Sequence, residues 1–176
     1  MPTIENSVKM KTVMKSTTVK TIKGNKEKYL CYKLAFRMIN DAIKCKCYLQ
    51  AITIEESIMA DRFLSCICHI NGSKYNFNAS VNKALNDLLN LNQGWDNEIK
   101  IDGCSLFDKI DLLNKFWNSR CSLLHGIAKS PSGKGPEISA ENFIKQAIET
   151  AIVGKVLTRW VCDWSKRQLK ANQKQS

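Results

Sequence analysis

The sequence predicts an all-α protein, a single bundle of about five helices, and three observations carry that expectation. Apolar residues recur at three- and four-residue spacing in five separate runs. Glycine- and proline-bearing segments split those runs, and no short alternating strand patterns interleave with them. Residues up to about Gly24 alternate lysine with Thr, Ser and Val without a stripe, so 1–25 reads as a basic arm. From Lys26, the repeat Leu30, Leu34, Met38 and Ala42, widened by Phe36, Ile39 and Ile43, makes the apolar band of an amphipathic helix ending near Lys46. A second long helix spans Tyr48 to Ile70, with Leu49, Ile52, Met59, Phe63 and Ile67 near one side, and stops at Asn71-Gly72-Ser73.

Ser80 is a natural N-cap for a shorter third helix that reaches Leu91 and buries Val81, Leu85, Leu88 and Leu89. A loop follows to Gly103, in which Ile99 and Ile101 fit a short extended piece. The fourth helix runs from about Ser105 through Ile110, Leu113, Phe116, Trp117, Leu123 and Leu124, with Gly126 where a helix C-terminus leaves its axis. Pro131, Gly133, Gly135 and Pro136 form a connector. The last helix starts at Ser139 and carries Phe143, Ile144, Ala147, Ile148, Ala151, Ile152, Val156, Leu157, Trp160 and Val161. The helical domain is thus expected over 26–168, with a basic tail over 169–176. Trp160 and Trp164, four apart, are expected to pack the bundle.

The formal net charge is +11, and it is unevenly spread: +5 from Met1 to Lys28, +5 from Lys155 to Ser176, and +1 for everything between. Basic ends around a neutral body point to a nucleic-acid partner, because lysine and arginine bind phosphate with little regard to sequence. No run approaches the ~18 apolar residues a membrane span requires, and the opening segment lacks the apolar stretch and cleavage site of a signal peptide. No membrane role is therefore expected, and the chain is placed in the cytoplasm. There the eight cysteines are read as thiols that pack like small hydrophobes. Cys45/Cys47 and Cys66/Cys68 make poor metal clips, since helical residues two apart point about 200° away from each other. No metal or cofactor is expected.

Arg120 and His125 carry the chemistry. Within Trp117-Asn118-Ser119-Arg120-Cys121-Ser122-Leu123-Leu124-His125-Gly126 they pair a fixed positive charge with an imidazole, in a chain holding two histidines in all. These are the groups a metal-free ribonuclease needs, one to neutralise phosphate charge and one to move a proton near neutral pH. Both interrupt an apolar helix, where charge is costly unless exposed in a cleft or paired. Asn118, Ser119 and Ser122 add hydrogen-bonding groups on the same turns. Five helical residues advance about 7.5 Å and rotate about 140°, so the two side chains do not stack on one face, although arginine is long enough to wrap back toward the histidine where the helix loosens before Gly126.

This region resembles the HEPN superfamily, whose signature is an arginine, four to six residues and a histidine near the end of a helix in a small all-α bundle. The matching residues are Arg120 and His125, and the likeness extends to the helix layout from about Lys26 to Lys166. It implies a metal-independent endoribonuclease that dimerises with the motif helices facing each other. It also implies toxin, antiphage or stress-response RNA cleavage, with an antitoxin or regulatory protein as a further partner. Asn118 and Ser122 are then supporting groups, and Lys115, Lys129 and Lys134 candidate RNA contacts. Many active members carry Asn, Asp or His directly after the arginine, where this chain has Cys121. Toxins paired with a nucleotidyltransferase place a tyrosine two residues after the histidine, where this chain has Ile127. The alternative is a non-catalytic helical module that binds nucleic acid or protein through its basic ends. Glu55, Glu56 and Arg62 are read as a solvated or mutually paired surface on the second helix. The loop Ser130 to Pro136 lacks the residue order of a phosphate loop.

Overall fold

The computed structural model describes residues 23–71, 81–92, 99–126 and 138–172, and within them the protein is all-α. Five helices follow in order: α1 (Lys23–Lys44), α2 (Tyr48–Asn71), α3 (Val81–Asn92), α4 (Leu106–Gly126) and α5 (Ala140–Asn172). The expected bundle of about five helices is what forms. Among the described residues no helix is long and apolar enough to cross a membrane.

α2 is the axial element. It packs most extensively on α5, then on α3 and α1, and touches α4 as well. Apolar side chains project from it in several directions for that reason. Ile52, Met59 and Phe63 of α2 share a core with Ile39, Leu85, Leu88, Leu106, Leu123 and Val161, all at most 2% exposed. Burying each such side chain contributes roughly 1.5–3 kcal/mol against leaving it in water. Trp164 is fully buried, edge-on to Phe63 with ring centroids 6.5 Å apart and stacked at 13° on Trp160. The tryptophan pair is therefore a packing element, as expected.

Helix ends follow local chemistry. α1 closes with Lys46 in the left-handed region (φ 59°), where the Cys47 N–H donates to the Ala42 carbonyl and the Lys46 N–H to that of Ile43. That is a Schellman cap, built here without glycine. Before α4, Ile101 and Cys104 exchange backbone hydrogen bonds across Asp102 (φ 51°) and Gly103 (φ 77°), a tight turn that needs left-handed residues at both central positions. Ser105 then caps α4 reciprocally: its hydroxyl accepts from the Asp108 N–H and its own N–H donates to the Asp108 carboxylate. The Ser105 N–H, together with the Ser105 hydroxyl bonded to the same carboxylate, holds Asp108 below the usual carboxylate range. Ser139 caps α5, accepting from the Asn142 N–H.

Five expectations need correcting. On α5, Ile144, Ile152 and Val156 are 54%, 52% and 64% exposed, because the helix buries only the sides it turns to α2 and α4. Residues 23–25 belong to α1, and Gly24 does not interrupt it. At the other end the domain does not stop at 168, because Leu169 packs against the core and α5 continues to Asn172. On α1, Leu30, Leu34 and Met38 are 52%, 55% and 42% exposed, while Tyr32, Ala35, Phe36, Ile39 and Ala42 face α2. The rotation of α1 is set by polar contacts on that side: Asp61 of α2 accepts from the Tyr32 hydroxyl and from the Lys28 ammonium. Finally, the cysteines are all free thiols, but Cys31, Cys45 and Cys47 are exposed and only Cys66 is buried, against Ser165. The expected arm over 1–22, the Ser80 cap, the connector at 127–137 and residues 173–176 lie outside the described residues.

Candidate active site

α4 lies antiparallel on α5. Lys109 reaches the Trp160 ring, Phe116 lies against Gly154, and Ser119 shares a groove with Gln146. This arrangement sends the arginine and the histidine of α4 in different directions.

Arg120 points toward α2. Its Nε donates to Glu56 Oε2 at 2.6 Å, its guanidinium sits 5.1 Å from the Trp117 ring centroid, and Nη1 approaches Cys121 Sγ at 3.9 Å. The two charged side chains are 21% and 13% exposed, so the pair is shielded but not sealed. A charge-assisted bond of that length, backed by an aromatic face, fixes the guanidinium far better than a surface ion pair does.

His125 lies in the last turn of α4 and is exposed. At 100° per residue, Lys115, Asn118, Ser122 and His125 fall within an arc of about 80°, and Arg120 leaves the helix roughly 140° from His125. Glu56 and Trp117 hold the Arg120 head on the α2 side. Thus Lys115, Asn118 and His125 form an outward strip with the half-buried Ser122. Lys129 and Lys134 lie outside the described residues.

Two residues of the site escaped the sequence reading. Glu56 is no solvated surface group but the partner of Arg120, 64 residues away. Glu55 is fully buried, with neither carboxyl oxygen hydrogen-bonded among the described residues. Burial pushes its pKa up to about 8, with Lys155 pulling the other way, so at neutral pH it is largely protonated. The available signal was an acidic pair interrupting an apolar helix, the mirror image of the argument that singled out Arg120.

A narrow groove of about 140 Å³ runs between α4 and α5, with Leu112, Lys115 and Ser119 on one wall and Glu149 and Val153 on the other. Beside it Leu112, Val153 and Val156 are 41%, 43% and 64% exposed, an apolar strip along the same face. Among the described residues no group of three His, Cys, Asp or Glu side chains is arranged to hold a metal ion. No family model, curated protein or solved structure matches the chain.

Proposed function

We propose that the chain is a metal-independent endoribonuclease of the HEPN type, acting on single-stranded RNA as a homodimer in the cytoplasm. The observation that supports this most directly is Arg120, held by Glu56 and Trp117 with a fifth of its side chain still open to solvent, on the same two turns as an exposed His125. In this chemistry His125 takes the proton of a ribose 2′-hydroxyl, and the 2′-oxygen attacks the adjacent phosphorus. Arg120 stabilises the charge on the non-bridging oxygens. Protonation of the leaving 5′-oxygen, by the histidine of a second copy, completes the balance and leaves a 2′,3′-cyclic phosphate. Toxin or defence activity is the biological setting such an enzyme implies, with an antitoxin or regulatory protein to restrain it.

The roughly 140° between the two side chains is why a second copy enters the proposal: one α4 does not present both groups to one phosphodiester. The uncovered strip of Leu112, Val153 and Val156 beside Lys115 suits a twofold contact that brings two α4 helices together. Val153→Asp is accordingly expected to give a monomer by light scattering, with unchanged circular dichroism and no cleavage. A dimer that survives the change would remove this interface from the proposal.

Cleavage is tested with single-stranded RNA in excess EDTA. The parent is expected to cut it, leave 2′,3′-cyclic ends and spare DNA. Arg120→Ala and His125→Ala are each expected to lose about 10²–10⁴-fold in rate. Glu56→Gln keeps the shape of the pair but loosens the guanidinium, and should cost about tenfold, since misplacement of a catalytic group is felt steeply. Binding without cleavage in every variant would instead favour the second reading, a non-catalytic nucleic-acid-binding module in which the Arg120–Glu56 pair clamps α2 to α4. The observation on that side is the pair itself, which already satisfies part of the guanidinium.

A further inference from the structure

A second groove, of about 610 Å³, opens between α1, α2 and α5, at the opposite end of the bundle from His125. Counting from Gln146, which lies level with Ser119, to Cys162 in this groove, the separation along α5 is roughly 25 Å at the helical rise. Five cationic side chains line it, Lys33, Arg62, Arg159, Lys166 and Lys170, against a single carboxylate, Asp163. It therefore concentrates positive charge contributed by three helices.

Aromatic rings lie among those charges. Tyr29 is 56% exposed at the rim, and the guanidinium of Arg159 sits 5.9 Å from the Phe36 ring. Arg62 stacks at 4.0 Å on Tyr32, whose hydroxyl bonds to Asp61, so that pair forms the floor. The Arg62 Nε is buried without an acceptor among the described residues. A donor of that kind costs free energy unless an acceptor arrives.

We propose that this groove binds a single-stranded nucleic acid, with phosphates on Arg159, Lys166 and Lys170 and a base stacked on Tyr29. Cations that track a backbone, interleaved with exposed ring faces, are the two components of strand binding without sequence readout. A duplex has its base faces occupied, and an acidic peptide satisfies the cations but leaves the rings unused. The inference goes beyond the nuclease reading and does not depend on it, because binding here is measured without cleavage.

The test uses the full chain carrying His125→Ala, so that no strand is cut, and fluorescence anisotropy with a labelled 12-nucleotide single-stranded RNA. Arg159→Ala with Lys166→Ala, both exposed positions, is expected to weaken binding at least tenfold and to lower the log–log salt slope by about 1–2. Tyr29→Ala is expected to cost at least about fivefold. A charge-matched control, Lys44→Ala with Lys145→Ala, should change affinity less than about twofold. Competition with single-stranded DNA of the same sequence tells which sugar the groove prefers, and either result keeps the proposal. It is overturned if the groove variants bind like the control. It is equally overturned if duplex RNA or polyglutamate displaces the probe as well as single strands do.

Discussion

Glu55→Gln is expected to make the protein more stable at alkaline pH and to flatten its pH–stability curve. The carboxyl is fully buried, both oxygens lack donors among the described residues, and burial raises its pKa from the ordinary 4.5 to about 8. The sign follows from proton linkage. Below about 4.5 the group is protonated in folded and unfolded chains alike; between 4.5 and about 8 the unfolded chain releases the proton first, so stability falls as pH rises. Above that range the penalty is complete and amounts to several kcal/mol. Thermal melts of parent and variant should nearly coincide at about pH 5 and separate widely at about pH 9, the variant higher. Parallel curves would mean that Glu55 is solvated.

Gly154→Ala is expected to destabilise the fold, reversing the usual gain of about 1 kcal/mol for this change inside a helix. Gly154 is buried where α5 crosses α2 and α4, and a β-carbon there would collide with the Glu55 carboxyl and with the Phe116 ring. The Gly154 backbone cannot easily retreat, since α5 is packed on either side of it by the buried Ala151, Leu157 and Thr158. Overpacking of this kind typically costs about 1–3 kcal/mol. Residues in contact couple, so part of that loss should return in a Glu55→Ala background, where one of the two obstacles is gone. A chemical-denaturation cycle over the four proteins measures it. Additive effects would place Glu55 away from Gly154.

What the sequence made legible was what local spacing and local chemistry control. The helices, their breaks at Asn71 and Gly126, the Ser139 cap and the paired tryptophans follow from periodicity and from residues within a few positions of one another. Arg120 stood out because charge inside an apolar run demands a reason, and its pairing with Glu56 is one. What lay hidden depends on long-range partners. The exposed face of α1 cannot be separated from its buried face by counting apolar residues, since both are apolar. Asp61, in another helix, decides between them. Glu56 meets Arg120 across 64 residues, and the basic groove assembles cations from helices far apart in the chain. The Asp102-Gly103 turn was within reach, because an Asp-Gly pair between isoleucine and cysteine is a local turn signal.

The widest side of α2 is roofed by α5, the latest of the five helices in chain order. Cys66 meets Ser165 across 99 residues, Phe63 meets Trp164, and Glu55 rests over Gly154. In a chain made from its N-terminus, α1 and α3 can cover their sides of α2 before α5 exists, so the broadest contact of this most apolar helix is the last of the five to close. Phe116, on the helix that carries Arg120, meets Gly154 only once α5 is in place, so α4 gains its backing at that same late stage.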